Sequence, residues 1–304
     1  MTITETATPV AATHSTIKGG KPAPGTERRG AFRIVGSACT WLLVAFNLFV
    51  LVFMLFSSFK TTNQIFDSPW SPPTKWQWEN WSEAWNASGF GQAALNTVVL
   101  VVGSALAVNV IAAPAAYVLS RTQGRMAGML TVFFTLGIGI PVQVIVIPLF
   151  VMMAHLNLVN SLVGLFVVYT ALSTPFTVFL LTGFFRSLPS RLEEAAMLDG
   201  AGALQVFVRI MLPLARPGLI TAFLLNAVGL WNETLIGLVF IQDTNKRTLS
   251  LALLSFVSTI TQYSSDASYG ALFAGVCVLV LPTLALYLWL GRRIVAGITL
   301  GSSK

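Results

Sequence analysis

Long apolar runs separated by short polar segments dominate the chain. Six runs reach the roughly 20 residues that a helix needs to cross a bilayer. They lie at approximately 34–58, 93–119, 128–152, 162–185, 217–240 and 269–291. Apolar and polar positions do not alternate within them as they would along barrel strands, and lipid offers backbone groups no partners outside a helix. The pattern predicts an all-α membrane protein with six transmembrane helices. Residues 1–30 are rich in Thr, Ala, Gly and Pro and read as a disordered tail, leaving 31–304 as the transmembrane domain. Arg28, Arg29 and Arg33 precede an apolar run as in a signal peptide. That run, Ile34 to Phe56, far exceeds the roughly 7–15 apolar residues of such a peptide, so it reads as a retained anchor.

The polar positions between the runs give an orientation. With a cytoplasmic N-terminus, Lys18, Lys21, Arg28, Arg29, Arg33, Arg121, Arg125, Arg186, Arg191, Arg209, Arg216, Arg292, Arg293 and Lys304 fall inside. Only Lys60, Lys75, Lys246 and Arg247 fall outside, so 14 of 18 basic residues are cytoplasmic. The positive-inside rule then predicts that both termini are cytoplasmic and that the number of spans is even. The outer loop 60–92 carries Trp70, Trp76, Trp78, Trp81 and Trp85 with Pro69, Pro72 and Pro73, and reads as a segment lying along the outer headgroups. The outer loop 241–268 contains an apolar stretch, Leu249–Val257, too short to span; it reads as a re-entrant or surface helix. Pro114, Gly137, Gly139, Pro141, Pro148, Pro175 and Pro282 interrupt the spans and fit either kinked packing or a moving gate.

Composition narrows the function. The 304 residues are 55% apolar and only 10% charged, with a mean hydropathy of +0.77. Soluble domains carry roughly 25% charged residues, so lipid is the solvent for most of this surface. The net charge of +7 does not indicate nucleic acid, because the basic residues punctuate the apolar runs instead of forming a patch. Cys39 and Cys277 lie inside apolar runs and behave as small hydrophobes, with no disulfide framework. The one Gly-Lys pair, Gly20-Lys21, is followed by Pro22, so no phosphate-binding loop is present. Ion-driven carriers place acids at mid-membrane, whereas here Glu233 is the main ionisable residue of the spans and sits towards the outer end of the fifth. His14 and His155 lack metal-ligand company, and no nucleophile–base pair stands out. Asn47, Asn109, Gln143 and Asn226 read as interhelical hydrogen-bonding glue.

The cytoplasmic loop 186–216 carries the most information. Ser190 and Glu193 have the spacing of a capping box. Arg191 to Leu198 is a strong helix former, Gly200 is placed to stop it, and a second short helix over about Ala203 to Met211 ends at Pro213. The loop reads as a helix-turn-helix at the cytoplasmic face. Ala195 and Ala196 leave a shallow surface, and Glu193, Glu194 and Asp199 give it a negative edge. It is either a docking knob or a solvated amphipathic loop.

These residues resemble a family. Glu194-Ala195-Ala196, Asp199-Gly200-Ala201, Phe207, Ile210 and Leu212-Pro213 are similar to the EAA coupling loop of ABC importer permeases. The Asp-Gly-Ala form resembles the carbohydrate branch. Ser57-Ser58-Phe59-Lys60, Trp231-Asn232-Glu233 and the tail Arg292 to Gly301 resemble the maltose-type (MalG-like) second permease. The resemblance covers nearly everything after residue 31. It implies that Glu193, Glu194, Ala195, Ala196, Asp199, Gly200, Ala201, Phe207, Ile210, Leu212 and Pro213 seat a coupling helix on a cytoplasmic ATPase dimer. It further implies a second related permease, an extracytoplasmic sugar-binding protein, a place in the bacterial cell membrane, and ATP and magnesium bound by the ATPase, not by this chain. Trp231-Asn232-Glu233 reads either as the lining of a sugar path or as an interface-belt tryptophan beside a headgroup-level charge. Three competing functions are a secondary transporter or facilitator acting without an ATPase, an importer of a non-sugar solute, and a membrane scaffold that recruits a soluble enzyme.

Overall fold

The computed structural model describes the backbone of residues 25–87, 89–263 and 268–302, with side chains for 35–86, 89–260 and 268–288. The expected tail lies outside the described residues as far as residue 24, and the side chains of the matched segment Arg292 to Gly301 lie outside them too. Among the described residues all regular structure is helical. The elements are α1 (Gly25–Ser57), α2 (Thr62–Asp67), α3 (Glu79–Ala87), α4 (Phe90–Arg121), α5 (Arg125–Gly139), α6 (Val142–His155), α7 (Leu162–Ser187) and α8 (Arg191–Leu198). After α9 (Ala203–Val206), a π-helical turn (Phe207–Met211) leads into α10 (Leu212–Leu214), and then follow α11 (Arg216–Trp231), α12 (Leu235–Phe240), α13 (Leu249–Tyr263) and α14 (Tyr269–Ser302).

Four of the expected spans coincide with single long apolar helices: Val35–Ser57, Phe90–Arg121, Leu162–Ser187 and Tyr269–Leu288. The other two do not run straight. The stretch expected at 128–152 is split into α5 and α6, which meet at an angle of 101°. Each half extends only ~22 Å at 1.5 Å per residue, short of a ~30 Å hydrocarbon core. The cause is Pro141, whose ring disfavours helical backbone at the preceding residue; Ile140 is extended at φ −83°, ψ 115°. The stretch expected at 217–240 is α11 followed by the non-helical residues 232–234 and the short α12. α11 also bends by 71° from the helical segment before it, Ala203–Leu214. Pro114, Pro148, Pro175 and Pro282 stay inside their helices.

The chain divides into two units between Val52 and Phe53, and each is described by itself. In the first, the large apolar side chains of α1 such as Trp41, Leu42 and Phe46 are exposed, as a helix solvated by lipid requires. Its polar groups turn inward on the same helix: Thr40 Oγ1 donates to the Gly36 carbonyl at 2.9 Å and Asn47 Nδ2 to the Leu43 carbonyl at 2.8 Å. The Asn47 amide thus finds an acceptor on its own helix, at the carbonyl one turn back.

The second unit is built around α4. Ala105, Ala112, Ala113 and Ala116 on α4 are buried. Small residues let backbones approach closely, and packing of this kind holds helices together where lipid removes the hydrophobic drive. α4 lies against α7 and α11. At the α7–α11 crossing, a Cβ on Gly218 would lie 2.6 Å from the Phe184 ring. Asn109 Nδ2 donates from α4 to the Leu219 carbonyl of α11 at 3.0 Å, and Asn226 Nδ2 from α11 to Thr177 Oγ1 of α7 at 2.8 Å. These two asparagines do act between helices, whereas Gln143 is exposed.

Residues 57–60 form a buried knot with the tryptophan-rich loop. Lys60 is 1% exposed, and its Nζ donates to the Pro69 and Ser68 carbonyls at 2.8 and 3.3 Å. Burial lowers its ammonium below the usual lysine range. Asn80 Nδ2 donates to the carbonyls of both Ser58 and Lys60 at 2.9 Å. Gly270, in the first turn of α14, packs so closely on this knot that a Cβ would collide with the Lys60 carbonyl and the Asn80 amide. Phe59 is surrounded by Trp76, Trp78 and Trp81 with ring centroids 4.8 to 5.7 Å away.

Replacing Asn80 with Ala leaves two buried carbonyls without their donor and is expected to cost about 1–3 kcal/mol. Gly270→Val forces the knot off α14 and is expected to cost at least as much. Thermal unfolding of the detergent-purified protein measures both, and unchanged midpoints would show that the knot contributes nothing.

Candidate functional site

The loop 186–216 folds as two short helices around a tight turn. α8 ends in a Schellman arrangement: Gly200 N–H donates to the Met197 carbonyl at 3.0 Å and Ala201 N–H to the Ala196 carbonyl at 2.9 Å. Gly200 adopts φ +84°, the left-handed conformation that a side chain would strain. The stop expected from the sequence therefore forms at that glycine. The second helix differs from expectation by continuing past Met211 to Leu214. Pro213 cannot donate a helical bond and its ring crowds the preceding turn; the π-helical turn just before it widens the backbone there.

The expected capping box is absent. Ser190 is itself helical, at φ −67° and ψ −24°, and its side chain makes no capping bond. Glu193 instead turns away from the helix start to Arg121, the last residue of α4. Arg121 Nε lies 2.6 Å from Glu193 Oε1, Tyr117 Oη donates to Glu193 Oε2 at 3.1 Å, and an Arg121 terminal nitrogen donates to the Leu188 carbonyl at 3.1 Å. A charge-assisted bond to guanidinium is roughly twice as strong as a neutral one, so it wins over the local cap. Glu193 is 5% exposed and contributes nothing to the negative edge expected of this loop. Ala196 also faces inward, and Phe207, Ile210 and Leu212 pack against the same buried cluster. The Phe207 ring lies 5.1 Å from that of Tyr117.

The outward face is consequently narrower than expected. Glu194, Ala195, Asp199 and Gly200 are exposed there, with Ala201 half-buried behind them. Two leucines flank the turn, Leu198 at 89% exposed and Leu204 at 75%. An apolar tip with Glu194 and Asp199 beside it suits a partner surface that combines a hydrophobic pocket with positive charge.

The second candidate, Trp231-Asn232-Glu233, is divided by the structure. Trp231 is 9% exposed, and its indole Nε1 donates to the Leu279 carbonyl of α14 at 3.0 Å. The ring packs in the core between α11 and α14. Asn232 is exposed and its amide donates to the Val228 carbonyl at 2.9 Å. Glu233 holds the start of α12. Its carboxylate accepts from Ile236 N–H at 2.7 Å, Gly237 N–H at 3.2 Å and Tyr169 Oη at 2.8 Å. Negative charge at a helix N-terminus satisfies otherwise orphaned N–H groups.

Glu233 borders a cavity of about 250 Å³, walled by Val142, Tyr169, Ser173, Phe176 and Asn226 among others. Its lining is mainly apolar, and its volume falls just below the roughly 300–1,000 Å³ of small-molecule pockets. Tyr169, Ser173 and Phe176 escaped the sequence reading because they carry no signal in an apolar run. Tyr117 escaped for the same reason, and Arg121 entered only as a marker of orientation. Among the described residues no cluster of His, Cys, Asp and Glu is arranged to hold a metal ion.

Comparison with known proteins supplies further findings. The family described as "Binding-protein-dependent transport system inner membrane component" matches residues 109–296. The diacetylchitobiose uptake system permease protein NgcG of Streptomyces coelicolor is 37% identical over 266 residues, covering 86% of this chain and 87% of that protein. The melibiose/raffinose/stachyose import permease protein MelC of Bacillus subtilis is 30% identical, covering 86% and 94%. A chain from the crystal structure of a bacterial ABC transporter that imports the acidic polysaccharide alginate superposes with a TM-score of 0.75 at 19% identity, covering 90% of this chain and 99% of that one.

If Glu233 is an internal cap, Glu233→Ala loses charge-assisted hydrogen bonds and is expected to destabilise the protein by about 2–3 kcal/mol. Thermal unfolding reads this directly. Unchanged stability with an altered transport KM would instead make the carboxylate a transport ligand.

Proposed function

The chain belongs to the family of binding-protein-dependent transport system inner membrane components, and from that premise we propose that it carries a sugar or oligosaccharide across the membrane, driven by an ATPase bound at α8. It is a multi-pass inner-membrane permease subunit of such an importer, not an enzyme. The sugar assignment is supported by relatives whose names specify diacetylchitobiose and melibiose, raffinose and stachyose.

In the proposed assembly the bent pair α5–α6 completes one crossing and α11 with α12 another, giving six spans with both termini in the cytoplasm. Arg121 and Arg186, at the ends of α4 and α7, and Arg191, at the start of α8, then face the cytoplasm, in accord with the positive-inside rule. α8 seats in a cleft of a cytoplasmic ABC ATPase dimer, which binds ATP and magnesium. A second, related permease completes the channel, and an extracytoplasmic binding protein delivers the sugar. The observation that carries this reading is the turn at Gly200, which holds Leu198 and Leu204 clear of the body beside Glu194 and Asp199. Apolar side chains grouped at one tip and rimmed by acids mark a protein contact.

Gly200→Trp places a bulky side chain where the backbone is left-handed and the partner closest. Glu194→Lys reverses charge on the same face. Each is expected to weaken association with the ATPase by about 2 kcal/mol or more, roughly 30-fold in affinity. Co-purification of the ATPase and ATP-dependent uptake in proteoliposomes measure the loss, with diacetylchitobiose, raffinose and maltose as substrates. Normal uptake by both variants would remove α8 from the ATPase interface, and uptake of none of the sugars by the parent would remove the substrate class.

A further inference from the structure

α4 is tied at both of its ends to segments distant in sequence. Beside α8, Arg121 and Tyr117 grip Glu193 as described. At the other end Asn96 Nδ2 donates to the carbonyls of Asn245 and Arg247 at 2.9 and 3.0 Å, and Thr97 Oγ1 accepts from Leu249 N–H at 2.7 Å. Asn96 and Thr97 are buried, and Leu249 is the first residue of α13. The two joints are ~36 Å apart along the helix at 1.5 Å per residue. Between them α4 is one unbroken helix through Pro114, packed along its alanines against α7. α5–α6 and α9–α11, by contrast, are bent at breaks and have no such stiffness.

We propose that α4 is a strut that transmits displacement of α8 to the segment 245–249, with Glu193 and Arg121 as the positioning residues of one joint and Asn96 and Thr97 as those of the other. The inference rests on the reading of α8 as the ATPase contact and goes beyond it, since Glu193 faces away from that contact. A displacement of α8 moves the Glu193 carboxylate, and with it the guanidinium and the phenol that hold it. Because the Glu193 carboxylate is buried, water does not readily replace its partners if α8 moves alone. The helix body carries the motion to the far joint, where hydrogen bonds directly to the backbone of 245–249 deliver it.

The test needs no knowledge of the transported solute. In the complex purified with its ATPase and reconstituted in proteoliposomes, with Cys39 and Cys277 replaced by Ala, a single cysteine replaces exposed Thr244. Its rate of modification by a membrane-impermeant maleimide is read with and without ATP and orthovanadate. The parent is expected to change rate by about five-fold or more on trapping, the range of ordinary allosteric coupling. Glu193→Gln and Arg121→Gln are expected to abolish that change while the ATPase still co-purifies and hydrolyses ATP. The exchanged pair Glu193→Arg with Arg121→Glu is expected to restore part of it. Asn96→Ala with Thr97→Val, which removes all three hydrogen bonds of the far joint without touching a charge, is expected to abolish the change as well, and it remains informative if the charge variants do not assemble. A full response in this double variant, or in Glu193→Gln, overturns the strut. Loss of the ATPase from Glu193→Gln overturns it too, by placing Glu193 in the interface. A parent that carries no ATPase removes the premise and the proposal together.

Discussion

A polar group shut away from water must find its partner inside the protein, and most of this chain's architecture follows from that constraint. An unpaired amide or hydroxyl in an apolar environment costs several kcal/mol, and an isolated charge far more. Lys60 is buried on two carbonyls, and Asn80 closes over two more from the same short segment. Glu193 is buried on Arg121 and Tyr117, and half-buried Glu233 is held by two N–H groups and Tyr169. Asn80, Glu193 and, through Tyr169, Glu233 join elements far apart in sequence, while Lys60 closes a shorter loop. The polar minority therefore sets how the helices are tied at their ends, while small apolar residues set how closely they run in between.

Irregular backbone obeys the same constraint. The break at Ile140–Pro141 opens beside α7, where a Cβ on Gly137 would lie 3.1 Å from the Pro175 ring. The break at 232–234 is closed by the Glu233 carboxylate and by Ser250 Oγ, which donates to the Glu233 carbonyl at 2.6 Å. The loop after α6 has Asn157 and Asn160 in left-handed backbone. Its Asn160 Oδ1 accepts from the N–H groups of Gln242 and Asp243 at 3.1 and 2.9 Å. At the break at 232–234 and in the loop after α6, side chains of the same chain satisfy the freed backbone groups.

This explains which parts were legible beforehand. Length and hydropathy locate a helix that lipid surrounds, so the spans at 34–58, 93–119, 162–185 and 269–291 were readable as continuous helices. Gly200 was readable because the left-handed position it fills is a local property of a helix end. Glu193 was not, because its spacing from Ser190 signals a cap while its strongest partner lies 72 positions earlier, on α4. A local rule cannot weigh a bond that exists only after α4 and α8 have met. The burial of Trp231 was not legible for a related reason: hydropathy places the residue near a span end but is silent on the rotamer that points the indole at Leu279. The Pro141 break had its signal in the residue before proline, but a run of this apolar character reads as unbroken when length alone is counted.

The placement of the two acids bears on how such a subunit can select what it carries. Hydrogen bonds to hydroxyl groups need free donors and acceptors, and sites built on them reject the wrong ligand because an unpaired buried polar group is costly. Here Glu233 already accepts three hydrogen bonds from its own chain, and the Asn226 amide is committed to Thr177. What remains around the cavity is mostly apolar surface, with the Phe176 ring and the Ser173 hydroxyl at its wall. Such a wall discriminates by size and by stacking against a ring face, and only weakly by the pattern of hydroxyl groups. Among the described residues, Asn109, Asn226, Glu193 and Glu233 use hydrogen bonds to hold helices to one another. In the proposed importer, selection by hydroxyl pattern therefore falls to the binding protein and the second permease, while this subunit supplies a path of defined width and the helices that move it.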